Sequence, residues 1–155
     1  MHLTIYNGYN NITYKLINAE PSIAEKLKIS DNDKVFAINR LRLVDDEPFA
    51  VEISYIVYKY AANLTEESIN KSGLYNALKQ DCGIITSEAI ETFEAVTVNT
   101  EEAKYFKVMK KDAALYLERF TSADGKIIEY CTSIIRGDKY KYTVKLGKYT
   151  TTDIN

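Results

Sequence analysis

The sequence predicts an α+β domain in which a mostly antiparallel sheet is covered by short helices. Runs of alternating apolar and polar residues come in pairs across tight turns, and the segments with helical spacing are short and fall between those pairs. The 155 residues, 46% hydrophobic and 27% charged, suffice for one self-supporting core. With only 2 Pro and 6 Gly and no repeat or low-complexity tract, nothing divides the chain into two domains.

The first dozen residues, rich in Asn and Tyr, predict an extended lead-in. Pro21-Ser22 opens a helix with Ile23, Ala24 and Leu27 on one face, and Ser30-Asp31-Asn32-Asp33 stops it. Lys34 to Leu43 alternates, turns at Val44-Asp45-Asp46-Glu47-Pro48, and continues as a second strand to Tyr58, which makes a hairpin. Two helical pieces follow, one starting near Asn63 to Thr65 and one over Ser72 to Lys79, where Leu74, Tyr75 and Leu78 supply the apolar stripe before Asp81-Cys82-Gly83 ends it. Ile84 to Val98 has the β-branched and aromatic mixture of a long strand, and Thr100-Glu101-Glu102 caps a short helix through Lys107. After the turn at Lys110-Lys111-Asp112, Ala114 to Thr121 and Lys126 to Arg136 form another hairpin about Ser122-Ala123-Asp124-Gly125. Gly137-Asp138 leads to a last strand, Tyr140 to Leu146.

Several function classes fall away on composition. No stretch approaches the roughly twenty apolar residues that a membrane helix requires. The opening MHLTIYNGYN lacks the basic and apolar segments of a signal peptide, so the cytoplasm is the expected compartment. Cys82 and Cys131 lack CxxC spacing and His2 cannot complete a ligand set with them, so no metal is expected and the cysteines read as reduced, packed thiols. A net charge of −2 argues against a nucleic-acid-binding body, so the 13 tyrosines and the alternating Lys139, Lys141 and Lys145 read as packing before base stacking.

Arg40 and Arg42 stand two apart on a strand, so both guanidinium groups leave one face while Leu41 and Leu43 leave the other. Such paired forks suit carboxylate or phosphate; the alternative is a solvated strand face. Glu52 lies between Val51 and Ile53 on the partner strand, where an isolated carboxylate is costly, so it should find an arginine, either as a structural ion pair or beside a ligand. Glu129, within Ile127-Ile128-Glu129-Tyr130, repeats the pattern and suits the hydroxyl or amine end of a ligand. Ser72 at a helix start serves as an N-cap, alone or together with an anion contact. No cysteine has a companion histidine and no Gly-rich phosphate loop is present, so no catalytic residue is assigned.

The ordered motifs Ala24-x-x-Leu27-x-Ile29, Val35-Phe36-x-Ile38-x-Arg40-Leu41-Arg42 and Glu47-Pro48-x-x-x-Glu52-x-Ser54-Tyr55 carry a resemblance. It continues through Ser72-x-Leu74-Tyr75-x-x-Leu78, Ala103, Leu115-x-Leu117-x-Arg119, Gly125-Lys126-x-Ile128-Glu129-Tyr130 and Arg136-Gly137-Asp138-Lys139-Tyr140. Together they resemble the UTRA domain, the effector-binding half of GntR-type bacterial repressors of the HutC subfamily. The resemblance implies a chorismate lyase-like fold over residues 19–147, with residues 1–18 as a lead-in and 148–155 as a tail. It implies a homodimer whose pocket takes a small anionic metabolite, often a sugar phosphate or amino sugar phosphate, with neither enzymatic activity nor a cofactor. It places Arg40, Arg42, Glu52, Ser72, Tyr75 and Glu129 in the ligand site, with Ser54, Arg136 and Asp138 in support. The sequence departs from the pattern at Ile135, where sugar-phosphate-binding members often carry tyrosine, and at Gly73, which separates Ser72 from Leu74-Tyr75. No winged helix-turn-helix is expected within these residues, so operator DNA is a partner only through such a domain elsewhere in a parent protein. A chorismate lyase-like enzyme and a dimerisation module with a vestigial pocket are the competing expectations.

Overall fold

A computed structural model describes residues 9–106, 111–138, 140–144 and 147. Its elements are β1 (Tyr9–Asn18), α1 (Pro21–Leu27), β2 (Lys34–Val44), β3 (Glu47–Val57), α2 (Glu66–Ser72), α3 (Leu74–Cys82), β4 (Glu88–Thr97), α4 (Thr100–Phe106), β5 (Ala113–Ala123) and β6 (Lys126–Arg136). The strands form one six-stranded sheet in the order β1-β2-β3-β6-β5-β4, with every neighbouring pair antiparallel. The expected α+β class is therefore the observed one.

Two hairpins build the centre of the sheet, and both use a two-residue turn with positive φ at each position: 50° and 63° at Asp45-Asp46, 49° and 74° at Asp124-Gly125. Such turns match the twist of the flanking strands. Each hairpin then slips by one residue. Leu43 faces Pro48 but Arg42 faces Ala50, and Ser122 faces Ile127 but Thr121 faces Glu129. The first bulge also explains how Pro48 is tolerated inside a strand, because a residue without an amide hydrogen fits where ladder bonding is already interrupted.

The extended lead-in is present as an edge strand, paired with β2 from Tyr9↔Arg42 to Asn18↔Lys34 with a one-residue shift between Asn11 and Thr13. Other local expectations are corrected. The cap of α4 is Asn99, one residue before the expected Thr100: Asn99 Oδ1 accepts from the Glu102 amide at 2.9 Å and Glu102 Oε2 accepts from the Asn99 amide at 2.8 Å. That reciprocal pair satisfies two amides that a helix start leaves without partners. Ser72 ends α2, and Gly73, at φ 82°, stands at the N-cap of α3. The last expected strand is absent over its described part: Tyr140–Val144 runs without ladder pairing, while Lys145, Leu146, Lys107 and His2 lie outside the described residues. Aromatic packing replaces pairing there, with Tyr140 5.8 Å from Phe49, Tyr142 4.7 Å from Phe93, and the two tyrosines 6.4 Å apart between ring centres.

The sheet buries both faces. On one, α1 packs Ala24 and Leu27 on Val35, Val57 and Tyr130, while α4 covers Ala114 with Phe106. Lys26 fastens α1 there, lying 4.9 Å above the Tyr130 ring and 3.2 Å from Glu118, which also accepts from the Tyr130 hydroxyl at 2.6 Å. On the other face, α2 and α3 bring Ile69, Leu74, Ala77 and Leu78 onto Phe36, Ile38 and Ile56. A second apolar group, Ala50, Leu117 and Ile135, lies beneath Phe49, Phe93 and Tyr140 on that same face. The sheet between these two groups is polar, and it is the setting of the candidate site.

Tyr14 docks into the helical side of this core, stacked 5.3 Å from Phe36 and donating to the Leu64 carbonyl at 3.0 Å. Burial, and then the charge of Glu66, push its phenol up to about 12 from an ordinary 10.0, and burial likewise raises Tyr130. The folded state holds these protons more tightly than the unfolded chain, so their stabilisation is complete below pH 10 and declines as pH rises from about 10 towards 12. Melts across that range should show a falling midpoint, with part of the tyrosinate absorbance appearing only as the protein unfolds. A flat midpoint together with a single unperturbed titration would contradict the packing described for Tyr14.

Candidate functional site

Register alone decides which side chains meet. On the face between the two apolar groups, one row across the sheet reads Arg40, Glu52, Ser133, Leu117 and Phe93, and the next reads Ile38, Ser54, Cys131, Arg119 and Glu91. The third reads Phe36, Ile56, Glu129, Thr121 and Ala89, and α3 supplies Tyr75 above it. Fifteen strand residues and one helical one thus bring polar side chains or their apolar borders to a common surface.

Arg40 and Arg42 do not splay into solvent: their side chains are 6% and 14% exposed. Glu52, 2% exposed, lies between them, with Oε1 paired to Arg40 Nη2 and Oε2 3.6 Å from Arg42 Nη1. Arg42 also lies 5.9 Å from the Phe49 ring centre, at the edge of the aromatic group that includes Tyr140. The expected pairing of Glu52 with an arginine is present, and it engages both.

At the other end, Glu129 is fully buried and its Oε2 accepts from the Tyr75 hydroxyl at 2.7 Å and from Thr121 Oγ1 at 3.1 Å. Burial, and then the Glu129 carboxyl, push the Tyr75 phenol well above its ordinary range, so it remains a donor at neutral pH. Arg119 Nη1 bonds Glu91 at 3.2 Å, Nη2 lies 3.7 Å from Cys131 Sγ, and its guanidinium lies 5.9 Å from the Tyr75 ring centre. Burial, reinforced by Glu52 and Glu129, pushes the Cys131 thiol up to about 12, so this sulfur lacks the thiolate that nucleophilic chemistry requires.

Buried polar atoms on this face without a partner within the protein include Ser133 Oγ, Glu129 Oε1 and Arg119 Nε. Buried polar groups are almost always satisfied, because each orphan costs about 1–3 kcal/mol, so this face has hydrogen-bonding capacity that the protein itself does not use.

The residues expected at the site divide accordingly. Arg40, Arg42, Glu52, Ser54, Tyr75 and Glu129 are brought together on or above one face. Ser72 is placed differently from the expectation: as the last residue of α2, its hydroxyl donates to the Ser68 carbonyl at 3.0 Å, and the positive φ of Gly73 separates it from the start of α3. Arg136 leaves β6 on the side opposite Ile135, donating to both Asp138 oxygens at 2.9 and 2.7 Å and to the Pro48 carbonyl at 3.1 Å, which ties the strand end to the first hairpin. Ile135 lies in the row of Arg42 and Ala50 and presents an apolar wall there. Sequence reasoning passed over Arg119, Thr121, Ser133, Cys131 and Glu91 as site residues. An arginine amid an alternating strand was the available signal, the same one that singled out Arg40. Among the described residues, no three His, Cys, Asp or Glu side chains group as a metal set, and no helix is long and apolar enough to cross a membrane.

A polar face of paired arginines and orphaned hydrogen-bonding atoms, held between helices and an antiparallel sheet, is the architecture of a small-molecule binding domain. The UTRA domain family model matches residues 8–141, and the chain belongs to that family. The HTH-type transcriptional repressor NagR of Bacillus subtilis is 30% identical over 136 residues, a match covering 87% of this chain and 56% of the repressor. The mannosyl-D-glycerate transport/metabolism system repressor MngR of Escherichia coli is 19% identical over 134 residues, covering 86% of this chain and 55% of that protein. The chain spans about half the length of these curated relatives. Among solved structures, a GntR-family transcriptional regulator from Enterococcus faecalis superposes with a TM-score of 0.83 at 22% identity, covering 90% of this chain and all of the other. A chain from Bordetella bronchiseptica assigned as the ligand-binding domain of a GntR-family regulator gives 0.82 at 21%, covering 90% and 88%. At these identities the structural likeness speaks for the fold.

Proposed function

We propose that this chain is the effector-binding and dimerisation domain of a GntR-type transcriptional regulator of the HutC subfamily, and that it senses a small anionic metabolite, a sugar phosphate or amino sugar phosphate. The carrying observation is the buried polar face on which Arg40 and Arg42 flank Glu52 while Ser133 Oγ, Glu129 Oε1 and Arg119 Nε lack protein partners. Guanidinium groups suit the oxygens of a phosphate or carboxylate, and the orphaned hydroxyl and carboxyl suit a hydroxylated body. The relative named for mannosyl-D-glycerate supports a carbohydrate carrying an acid, since that compound is a sugar joined to a carboxylate. Effector binding acts by differential affinity: the arrangement of a homodimer that binds the ligand better becomes the populated one, and the spacing of two DNA-binding heads follows. Those heads belong to the rest of the parent protein, as the HTH-type description of its relatives suggests, and the cytoplasm is where such a regulator meets both metabolite and operator.

A thermal-shift and calorimetric panel tests this reading, with glucose 6-phosphate, glucosamine 6-phosphate, mannosyl-D-glycerate, inorganic phosphate and the parent sugars. A ligand present at 100 times its Kd stabilises by about 2.7 kcal/mol, which for a domain of this size raises the melting temperature by roughly 5–10 °C. The phosphorylated or carboxylated members should produce that rise and the neutral sugars should not. A melting temperature unmoved by every anionic member would overturn the effector reading.

A further inference from the structure

Arg119 is the one guanidinium of this face that the paired-arginine motif does not contain, and its surroundings fix its orientation. Glu91 on the edge strand β4 holds Nη1, the Cys131 sulfur lies beside Nη2, and the Tyr75 ring lies over the group. Its side chain is only 18% exposed and its Nε, already buried, has no protein acceptor. Tyr75 links it to the second orphan of this end, since the same phenol donates to Glu129 Oε2 and leaves Oε1 without a donor. One end of the face thus offers a directed N–H donor and a carboxyl acceptor, both buried and both attached to groups clamped by other contacts. From β2 to β5 is three strand spacings, roughly 14 Å between backbones, so this end is distinct from the Arg40–Arg42 end.

We infer that Arg119 is a specificity-determining residue of the site: its Nε–H donates to a hydroxyl oxygen of the ligand, and Glu129 Oε1 accepts from a hydroxyl of the same body, while Arg40 and Arg42 hold the anion. The inference rests on the effector reading above and narrows it to a polyhydroxylated anion. Bare phosphate engages one end alone. Clamping of the guanidinium by Glu91 and Tyr75 removes most of the ordering cost that a mobile arginine would bring to binding, so its contact discriminates strongly.

Calorimetry on the full chain distinguishes this role, using glucose 6-phosphate, glucosamine 6-phosphate and inorganic phosphate against the unaltered protein, Arg119→Gln and Arg119→Lys. Both variants should weaken the better-bound sugar phosphate by roughly ten- to a hundredfold, the range of a charge-assisted contact, while inorganic phosphate changes by less than about twofold. Lysine preserves the charge but has no Nε–H in a planar fork, so it should not restore the loss. Should Arg119→Gln fail to fold, Arg119→Lys, which retains a cation for Glu91, carries the test. Sugar-phosphate affinity retained in Arg119→Lys, or an equal loss for sugar phosphate and inorganic phosphate, overturns the assignment to Arg119 and leaves the effector reading standing. If the unaltered protein binds none of the three, nor mannosyl-D-glycerate, the effector reading itself falls and takes this inference with it.

Discussion

Glu52→Ala should lower stability by about 3–5 kcal/mol, because it strips two buried guanidinium groups of the carboxylate between them. At about 2–4 °C per kcal/mol for a domain of this size, the melting temperature falls by roughly 6–20 °C. The loss exceeds that of a solvent-exposed ion pair such as Lys59–Asp33, whose attraction water screens. A further effect follows from the chemistry of the vacated position. Inorganic phosphate should stabilise Glu52→Ala more than it stabilises the unaltered protein, since an anion placed there replaces the missing carboxylate. Chemical and thermal melts with and without phosphate measure both effects. A melting temperature unaltered by the substitution would mean that Arg40 and Arg42 reach water and that the polar face is superficial.

Arg42→Ala should leave the fold largely intact and weaken binding of the best anionic panel member by one to two orders of magnitude, about 2–3 kcal/mol. The distinction between the two arginines is geometric. Arg40 is the more buried and pairs closely with Glu52, whereas Arg42 is 3.6 Å from the same carboxylate, 14% exposed, and lies by Phe49. Truncating Arg42 therefore preserves the Arg40–Glu52 pair while removing the more exposed of the two guanidinium groups. Calorimetry against glucose 6-phosphate and glucosamine 6-phosphate, with the melting temperature as a folding control, is the measurement. Unchanged affinity in a folded variant would reject Arg42 as an anion-binding residue.

Much of the architecture is legible along the chain because it is written in short-range terms. Pro21 at a helix start, Asp124-Gly125 between two alternating runs, and the stripe of Leu74 and Leu78 each signal their element through local sterics and periodicity. The misplaced boundaries share a cause. Ser72 and Thr100 are good capping residues, but a glycine at φ 82° and a reciprocal Asn99–Glu102 pair satisfied the helix starts instead. Tyr140 and Tyr142 have the composition of a strand, yet their rings pack on Phe49 and Phe93 without ladder pairing.

Arg40, Arg42, Glu52 and Glu129 were marked by the sequence itself, because a charge set among strand apolars must be compensated wherever it folds. Their meeting was not determined there. Each hairpin turn, continued without a bulge, would oppose Arg40 to Val51 and Arg119 to Tyr130, sending Glu52 and Glu129 to the far side of the sheet. One extra residue in each of β3 and β6 reverses that assignment. A bulge is stabilised by what packs on the two faces, contacts made between distant parts of the chain, so only the tertiary structure could bring these groups onto one surface.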